Sequence, residues 1–134
     1  MAKAKRMKQL SFMMPDRAGL LIEVTAALAR VKANISNICA YGMGMQGEAN
    51  FMLTADSNAK AKKALAPLGV KIMEHDVFAV EMPNKPGELQ KAARKIADAG
   101  INIIYMYGTT GEGKTSTCIF ATSDDAKAIK LINK

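Results

Sequence analysis

LSFMMPDRAGLL at residues 10–21 and FAVEMPNKPGEL at residues 78–89 read as two copies of one strand–turn–helix segment. Apolar residues alternate along the first half of each: Leu10, Phe12 and Met14 in one, Phe78, Val80 and Met82 in the other. A period of two marks a strand with one buried face. A Pro closes each run, polar residues come next, and Gly19 or Gly87 stands ahead of helical spacing. Sliding the chain by 68 residues, without a gap, also lays Ala29 on Ala97, Asn34-Ile35 on Asn102-Ile103, Thr54 on Thr122, Asp56 on Asp124 and Lys62 on Lys130.

The repeat predicts the same elements twice. Strands fall at 8–14 and 77–82, and helices at 18–32 and 87–99. The expected buried helix faces are Leu21, Val24, Leu28 and Val31, and Leu89, Ala92, Ile96 and Ala99. Second strands at 35–42 and 103–108 lead through Gly-containing hairpins into third strands at 48–55 and 115–122. Asp56 and Asp124 stand as N-caps for short helices at 57–67 and 125–133, with their lysines outward. Val70–Met73 adds a fourth strand to the first copy, and the second copy stops before its equivalent. The fold class is therefore α+β: two tandem ferredoxin-like βαββα(β) units with antiparallel sheets and helices on one face. The domain reading is a basic disordered tail at 1–6, a first domain at 7–74 and a second at 75–134 lacking its last strand. That gap leaves 77–82 an open edge, which invites pairing with a second chain and implies a homodimer.

Composition narrows the function classes. With 49% apolar and 23% charged residues the chain has the makings of a sizeable core. The ten Met residues read as core filling. Net charge is +7, but four of the basic residues lie in the opening MAKAKRMK, and without it the balance is +3. No aromatic residue is interleaved with those charges, so they offer nucleic acid no stacking platform. Cys39 and Cys118 lie in apolar runs without CxxC spacing, and His75 is the one histidine, so no metal site is expected. Reduced thiols, and apolar runs well short of the ~18 residues a membrane helix needs, give a cytoplasmic reading with no membrane partner.

Two motifs compete for attention. Gly108–Thr115, GTTGEGKT, matches the phosphate-loop pattern GxxxxGK[ST], which works only ahead of a helix. It leads instead into STCIFAT, a β-branched apolar run, and the aligned AYGMGMQG has no Lys, so the segment reads as a hairpin. The other motif is the repeated turn, where a strand ends, a Gly opens a helix, and the helix N-terminal amides face outward to attract a carboxylate.

On these residues the chain is similar to the ACT-domain family. The pattern [DN]-[RK]-x-G-x-L between strand and helix, with Asn-Ile opening the next strand, occurs in both copies and spans 7–134. The resemblance implies a ferredoxin-like fold that binds amino acids at interfaces between paired domains. The ligand residues it implies are Asp16, Arg17, Ala18, Gly19, Leu20, Leu21, Asn34 and Ile35 in the first copy. In the second they are Asn84, Lys85, Pro86, Gly87, Glu88, Leu89, Asn102 and Ile103. Pro86 for Ala18 and Glu88 for Leu20 make the two sites unequal. Met43, Met45, Tyr105 and Met106 are candidates for an apolar wall. The expectation is a non-catalytic sensor of a free amino acid, without cofactor, acting on an unidentified regulated protein. The alternatives are a nucleotide-binding protein using GTTGEGKT and an RNA-binding ferredoxin-like module, for which no RNP-type aromatic motif is present.

Overall fold

The computed structural model describes residues 2–42, 47–109 and 112–134. It divides into two compact units, one of Lys8–His75 and one joining Asp76–Lys134 to the residues up to Met7. The elements run β1 (Lys3–Pro15), α1 (Leu20–Arg30), β2 (Ile35–Gly42), β3 (Glu48–Ala55), α2 (Asn58–Leu65), a 3-10 turn (Ala66–Leu68), β4 (Met73–Pro83), α3 (Glu88–Asp98), β5 (Ile103–Thr109), β6 (Thr115–Thr122) and α4 (Asp125–Ile132). Both units are ferredoxin-like, with antiparallel strands and βαββα order.

In the Lys8–His75 unit β3 lies between β2 and β1. The register sets Leu10 opposite Leu53, Phe12 opposite Phe51 and Met14 opposite Ala49. The alternating apolar residues therefore share one face, and α1 and α2 cover it with Leu20, Val24, Ala27, Leu28, Ala61 and Leu65. Phe12 and Phe51 stack with ring centroids 5.1 Å apart. The second unit repeats the device. Phe78 and Phe120 stack at 5.5 Å, and Val80, Met82 and Cys118 join Ile96, Ala128 and Ile132 in one core. Each large apolar side chain among these contributes roughly 1.5–3 kcal/mol on burial.

Three expectations are corrected. The first concerns the helix face. Leu20, Val24, Ala27 and Leu28 are buried on α1, while Leu21 is 55% and Leu89 43% exposed. At about 100° per residue Leu21 falls just outside the arc that Leu20, Val24, Ala27 and Leu28 occupy, and Val31 lies past the helix as its C-cap.

The second concerns the repeat register. The 68-residue offset holds through β2 and β5, but β3 and β6, like α2 and α4, are offset by 67. The hairpin of the second copy is one residue shorter. Ser57, not Asp56, caps α2 by accepting from the Lys60 amide at 3.3 Å, as Asp124 accepts from the Lys127 amide at 3.1 Å. Asp56 instead accepts from the Asn34 amide at 3.0 Å.

The third concerns the tail. Lys3–Met7 is strand, and in the second unit the strand order is β1-β4-β6-β5. Lys3–Met7 is thus the fourth strand of the second unit, and β4 has a neighbour on each side. Ala4 is buried in the second core, with Ala2 packed against it. Asn133 clamps the segment: its Oδ1 accepts from the Ala4 amide at 2.7 Å, and its Nδ2 donates to the Ala4 carbonyl at 2.9 Å. The A-K-A-K alternation is a strand pattern whose inward residues are too small to register as apolar. The fourth strand expected at 70–73 also shifts. Val70 and Ile72 pack on the first core outside any strand, and β4 runs unbroken from Met73 to Pro83. No helix among the described residues is long and apolar enough to cross a membrane.

Candidate functional site

β1 ends at Pro15, and the chain turns through Asp16, Arg17 and Ala18, all exposed, before Gly19 opens α1. Gly19 sits at φ 89°, in the left-handed region where a side chain is strained, and no side chain caps the helix. The first intrahelical bond runs from the Glu23 amide to the Gly19 carbonyl at 3.1 Å, so the amides of Leu20, Leu21 and Ile22 have no partner within the helix. Arg17 pairs with Glu23 across this first turn. Leu20 turns into the core, and Leu21 stays exposed beside the loop.

Asp16 joins the loop to the neighbouring hairpin. Its amide donates to the Gly47 carbonyl at 3.3 Å, and its carboxylate lies so close to the Gly42 backbone that a Cβ at 42 would collide with it. Asn34 and Ile35 open β2 at the other end of α1. The Asn34 amide donates to Asp56, and the Asn34 carbonyl accepts from the Asp56 amide at 2.9 Å. That exchange fixes the backbone where β2 begins and leaves the Asn34 side chain exposed.

The second unit builds the same turn with different side chains. Gly87 sits at φ 87° without a side-chain cap, and the Lys91 amide donates to its carbonyl at 3.1 Å. The Asn84 amide donates to the Lys114 carbonyl at 2.8 Å, the counterpart of the Asp16–Gly47 bond. Asn84 Nδ2 adds a bond to the Gly113 carbonyl at 3.1 Å. The Glu88 amide is taken by the Lys85 carbonyl at 3.3 Å, and Pro86 has no amide to offer. Glu88 and Lys91 form an ion pair at 2.8 Å, whose hydrogen bond holds the Glu88 carboxyl below the usual carboxylate range. Asn102 donates its amide to Ser123 Oγ at 3.0 Å and accepts from the Ser123 amide at 2.8 Å, and Ile103 begins β5 half-buried.

Each sequence-derived group is thus collected around one helix start, with its Asn-Ile pair at the far end of that helix. The proposed apolar wall fares unevenly. Met43 and Met45 lie outside the described residues. Met106 is exposed, pairing with Phe120 of the helix-covered face, whereas Tyr105 belongs to a separate cluster with Val77, Ile119, Ala121 and Tyr107. The sequence reading missed Gly42, whose close contact with Asp16 no local pattern discloses. It also counted Leu21 and Leu89 in the buried helix faces as well as among the ligand residues, and they are exposed beside the loops.

The rival motif begins in β5 at Gly108 and ends in β6 at Thr115, with Thr110 and Gly111 outside the described residues. Thr115 begins strand β6, so no helix succeeds Lys114 to aim amides at a phosphate. His75 is exposed, its Nε2 2.9 Å from Ser11 Oγ. Among the described residues no three His, Cys, Asp or Glu side chains gather to hold a metal ion.

The sequence model of the family described as the ACT domain pair matches residues 5–134. Among solved structures, protein BT0572 from Bacteroides thetaiotaomicron is 28% identical with a TM-score of 0.84, over 96% of this chain and 87% of that one. The ligand-free regulatory subunit of aspartate kinase from Thermus thermophilus is 20% identical with a TM-score of 0.73, over 98% and 93%. The corresponding subunit from Thermus flavus is also 20% identical, with a TM-score of 0.66 over 97% and 94%. The two Thermus likenesses establish the fold. A comparison with curated proteins returns no match.

Proposed function

The chain belongs to the family of ACT domain pairs, and from that premise we propose that it is a non-catalytic regulatory module whose ligand is a free amino acid. The observation that carries the reading is the repeated helix start. An uncapped N-terminus, a left-handed Gly and an exposed Leu at the second helical position occur together in both units. Outward amides and the helix dipole attract a carboxylate, and the exposed Leu offers its side chain an apolar surface. The fold shared with regulatory subunits of aspartate kinase supports a regulatory setting, with the regulated partner a separate protein.

A homodimer belongs to the same proposal, with different edges from those the sequence suggested. The edge strands β2 (ISNICAYG) and β5 (IIYMYGT) carry no charged residue, and each exposes an apolar side chain, Ile38 or Ile104. Edges without Lys or Pro guards are ready to pair with a second copy. Interfacial ligand sites would come with that pairing.

A thermal-shift panel of the twenty amino acids, with ATP and a short RNA alongside, tests the ligand class. One or a few amino acids raise the Tm, by RT ln(1 + [L]/Kd) or about 2.7 kcal/mol at a hundredfold excess over Kd, and ATP does not. Gly19→Val removes the shift if the ligand uses that helix start. A flat panel of amino acids sinks the proposal. Light scattering that finds only the 14.4 kDa monomer removes the dimer.

A further inference from the structure

α1 differs from the other helices in the side it turns to solvent. At about 100° per residue, Leu21, Ile22, Thr25, Ala26 and Ala29 fall on one stripe, away from the buried Leu20, Val24, Ala27 and Leu28. No member of the stripe is charged. Ile22 is 73% exposed, and Thr25 Oγ1 donates back to the Leu21 carbonyl at 2.7 Å, which satisfies its hydroxyl within the helix. A helix apolar on both of its faces is the pattern of a helix buried on both. α3, the counterpart in the second unit, sets Gln90 and Arg94 where α1 has Ile22 and Ala26. The short helices carry Lys60, Lys62 and Lys63 on α2, and Lys127 and Lys130 on α4.

The charges at the margin of the stripe indicate what lies against it. Glu23 and Arg30 are seven residues apart, about two turns, and so share one flank. A second α1 related by a two-fold axis and running antiparallel sets Glu23 of each copy beside Arg30 of the other. Arg30 is exposed and has no ion pair with any described residue. The small side chains of Ala26 and Ala29 leave room for an Ile22 from the opposite helix. An 11-residue helix, about 16 Å long, is too short to bury the roughly 800 Å² a side that a stable pair needs. Edge strand β2 of the same unit extends the surface, with Ile38 still 37% exposed on the helix-covered face.

We infer that two copies of this chain meet through their first units, α1 antiparallel on α1, with Glu23 paired to the partner's Arg30. The second units stay outside the contact, since Arg94 of α3 would be buried there without a partner of opposite charge. The inference rests on the homodimer proposed above and names its surface.

Sedimentation velocity on the full chain over a dilution series tests it. The wild type dimerises, and Ile22→Glu weakens the dimer at least about a hundredfold, because each copy then buries an unpaired carboxylate in the contact. Gln90→Glu, at the matching position of α3, leaves dimerisation unchanged. Arg30→Glu weakens it, and adding Glu23→Arg recovers the loss. Unchanged far-UV circular dichroism confirms that these exposed substitutions leave the fold intact. A dimer untouched by Ile22→Glu, or weakened as much by Gln90→Glu, overturns the inference and leaves a homodimer through other surfaces standing. Failure of the charge exchange to recover the loss overturns the antiparallel pairing. A wild-type chain that stays monomeric throughout overturns both the inference and the homodimer.

Discussion

A Cβ at position 108 would stand 2.6 Å from Cys118 Sγ and 3.0 Å from the Thr117 carbonyl oxygen. Gly108 and Cys118 face each other across β5 and β6, so the crowding involves partner backbone as well as one buried thiol. Burial also pushes the Cys118 thiol up, which keeps it protonated and unreactive at neutral pH. Gly108→Ala accordingly costs about 1–3 kcal/mol of overpacking in urea denaturation. Gly113→Ala, whose Cβ meets nothing nearer than 4.0 Å, stays within about 0.5 kcal/mol of wild type. A phosphate-loop reading makes the opposite forecast, loss of nucleotide affinity from either change and from Lys114→Ala. Equal stability of the two glycine variants would refute the packing argument. The motif was legible as a hairpin because it runs straight into a strand-forming stretch. The reason for Gly at 108 was not, since it lies ten residues away across the ladder.

Some strands were legible to the residue: β2, β3 and β6 begin and end where the β-rich runs of the sequence do. The caps were less so, because one missing hairpin residue slips the repeat and turns coincidental identities such as Asp56 with Asp124 into misleading ones. The candidate site reads from the sequence as two repeated loops. The difference between the loops is only half visible there, because Asp16 and Asn84 look conservative until the Asn84 side chain is seen bonding the Gly113 carbonyl. The join between α2 and the start of β4 shows how side chains off the pattern fix an element. Asn58 accepts from the Ala55 amide at 3.2 Å, donates to the Lys8 carbonyl at 3.1 Å and reaches Glu74 at 3.3 Å, while Lys62 reaches Glu74 at 3.0 Å. The bond from Lys62, helped by Asn58, lowers the Glu74 carboxyl below its ordinary 4.5. A lowered folded-state value means the contribution is present above the unfolded value and lost as pH falls through the folded one. Glu74→Gln therefore destabilises by roughly 0.2–1 kcal/mol above about pH 5, as for an exposed pair, and the gap closes as the pH drops below about 4. Chemical denaturation across that range measures it, and a gap that widens in acid contradicts the assignment.

The second unit takes its strand beside β4 from Lys3–Met7, and that dependence makes the strongest stability forecast. Lys3–Met7 is the fourth strand of the second unit, held by Ala4 in the core, by Asn133 on the Ala4 amide and carbonyl, and by Arg6 at 3.5 Å from Asp76. The charges of Lys3 and Lys5 are exposed and incidental to that role. Lys3→Gln with Lys5→Gln should thus leave stability within about 0.5 kcal/mol. Asn133→Ala, which strips both bonds from Ala4, should cost about 1–2 kcal/mol. Deleting residues 2–7 goes further, since it uncovers the edge of β4 along its second-unit half and leaves its amides and carbonyls unpaired. The deletion should lower the Tm more than Asn133→Ala does and increase self-association in light scattering. Hydrogen exchange separates this account from that of a loose basic tail. In the intact protein the Ala4 amide exchanges far more slowly than a free chain, and in Asn133→Ala it speeds up while amides of β2 and β3 hold their rates. Exchange of Ala4 at the free-chain rate in the wild type would mean that the strand does not form in solution, and that the second unit stands on three strands alone.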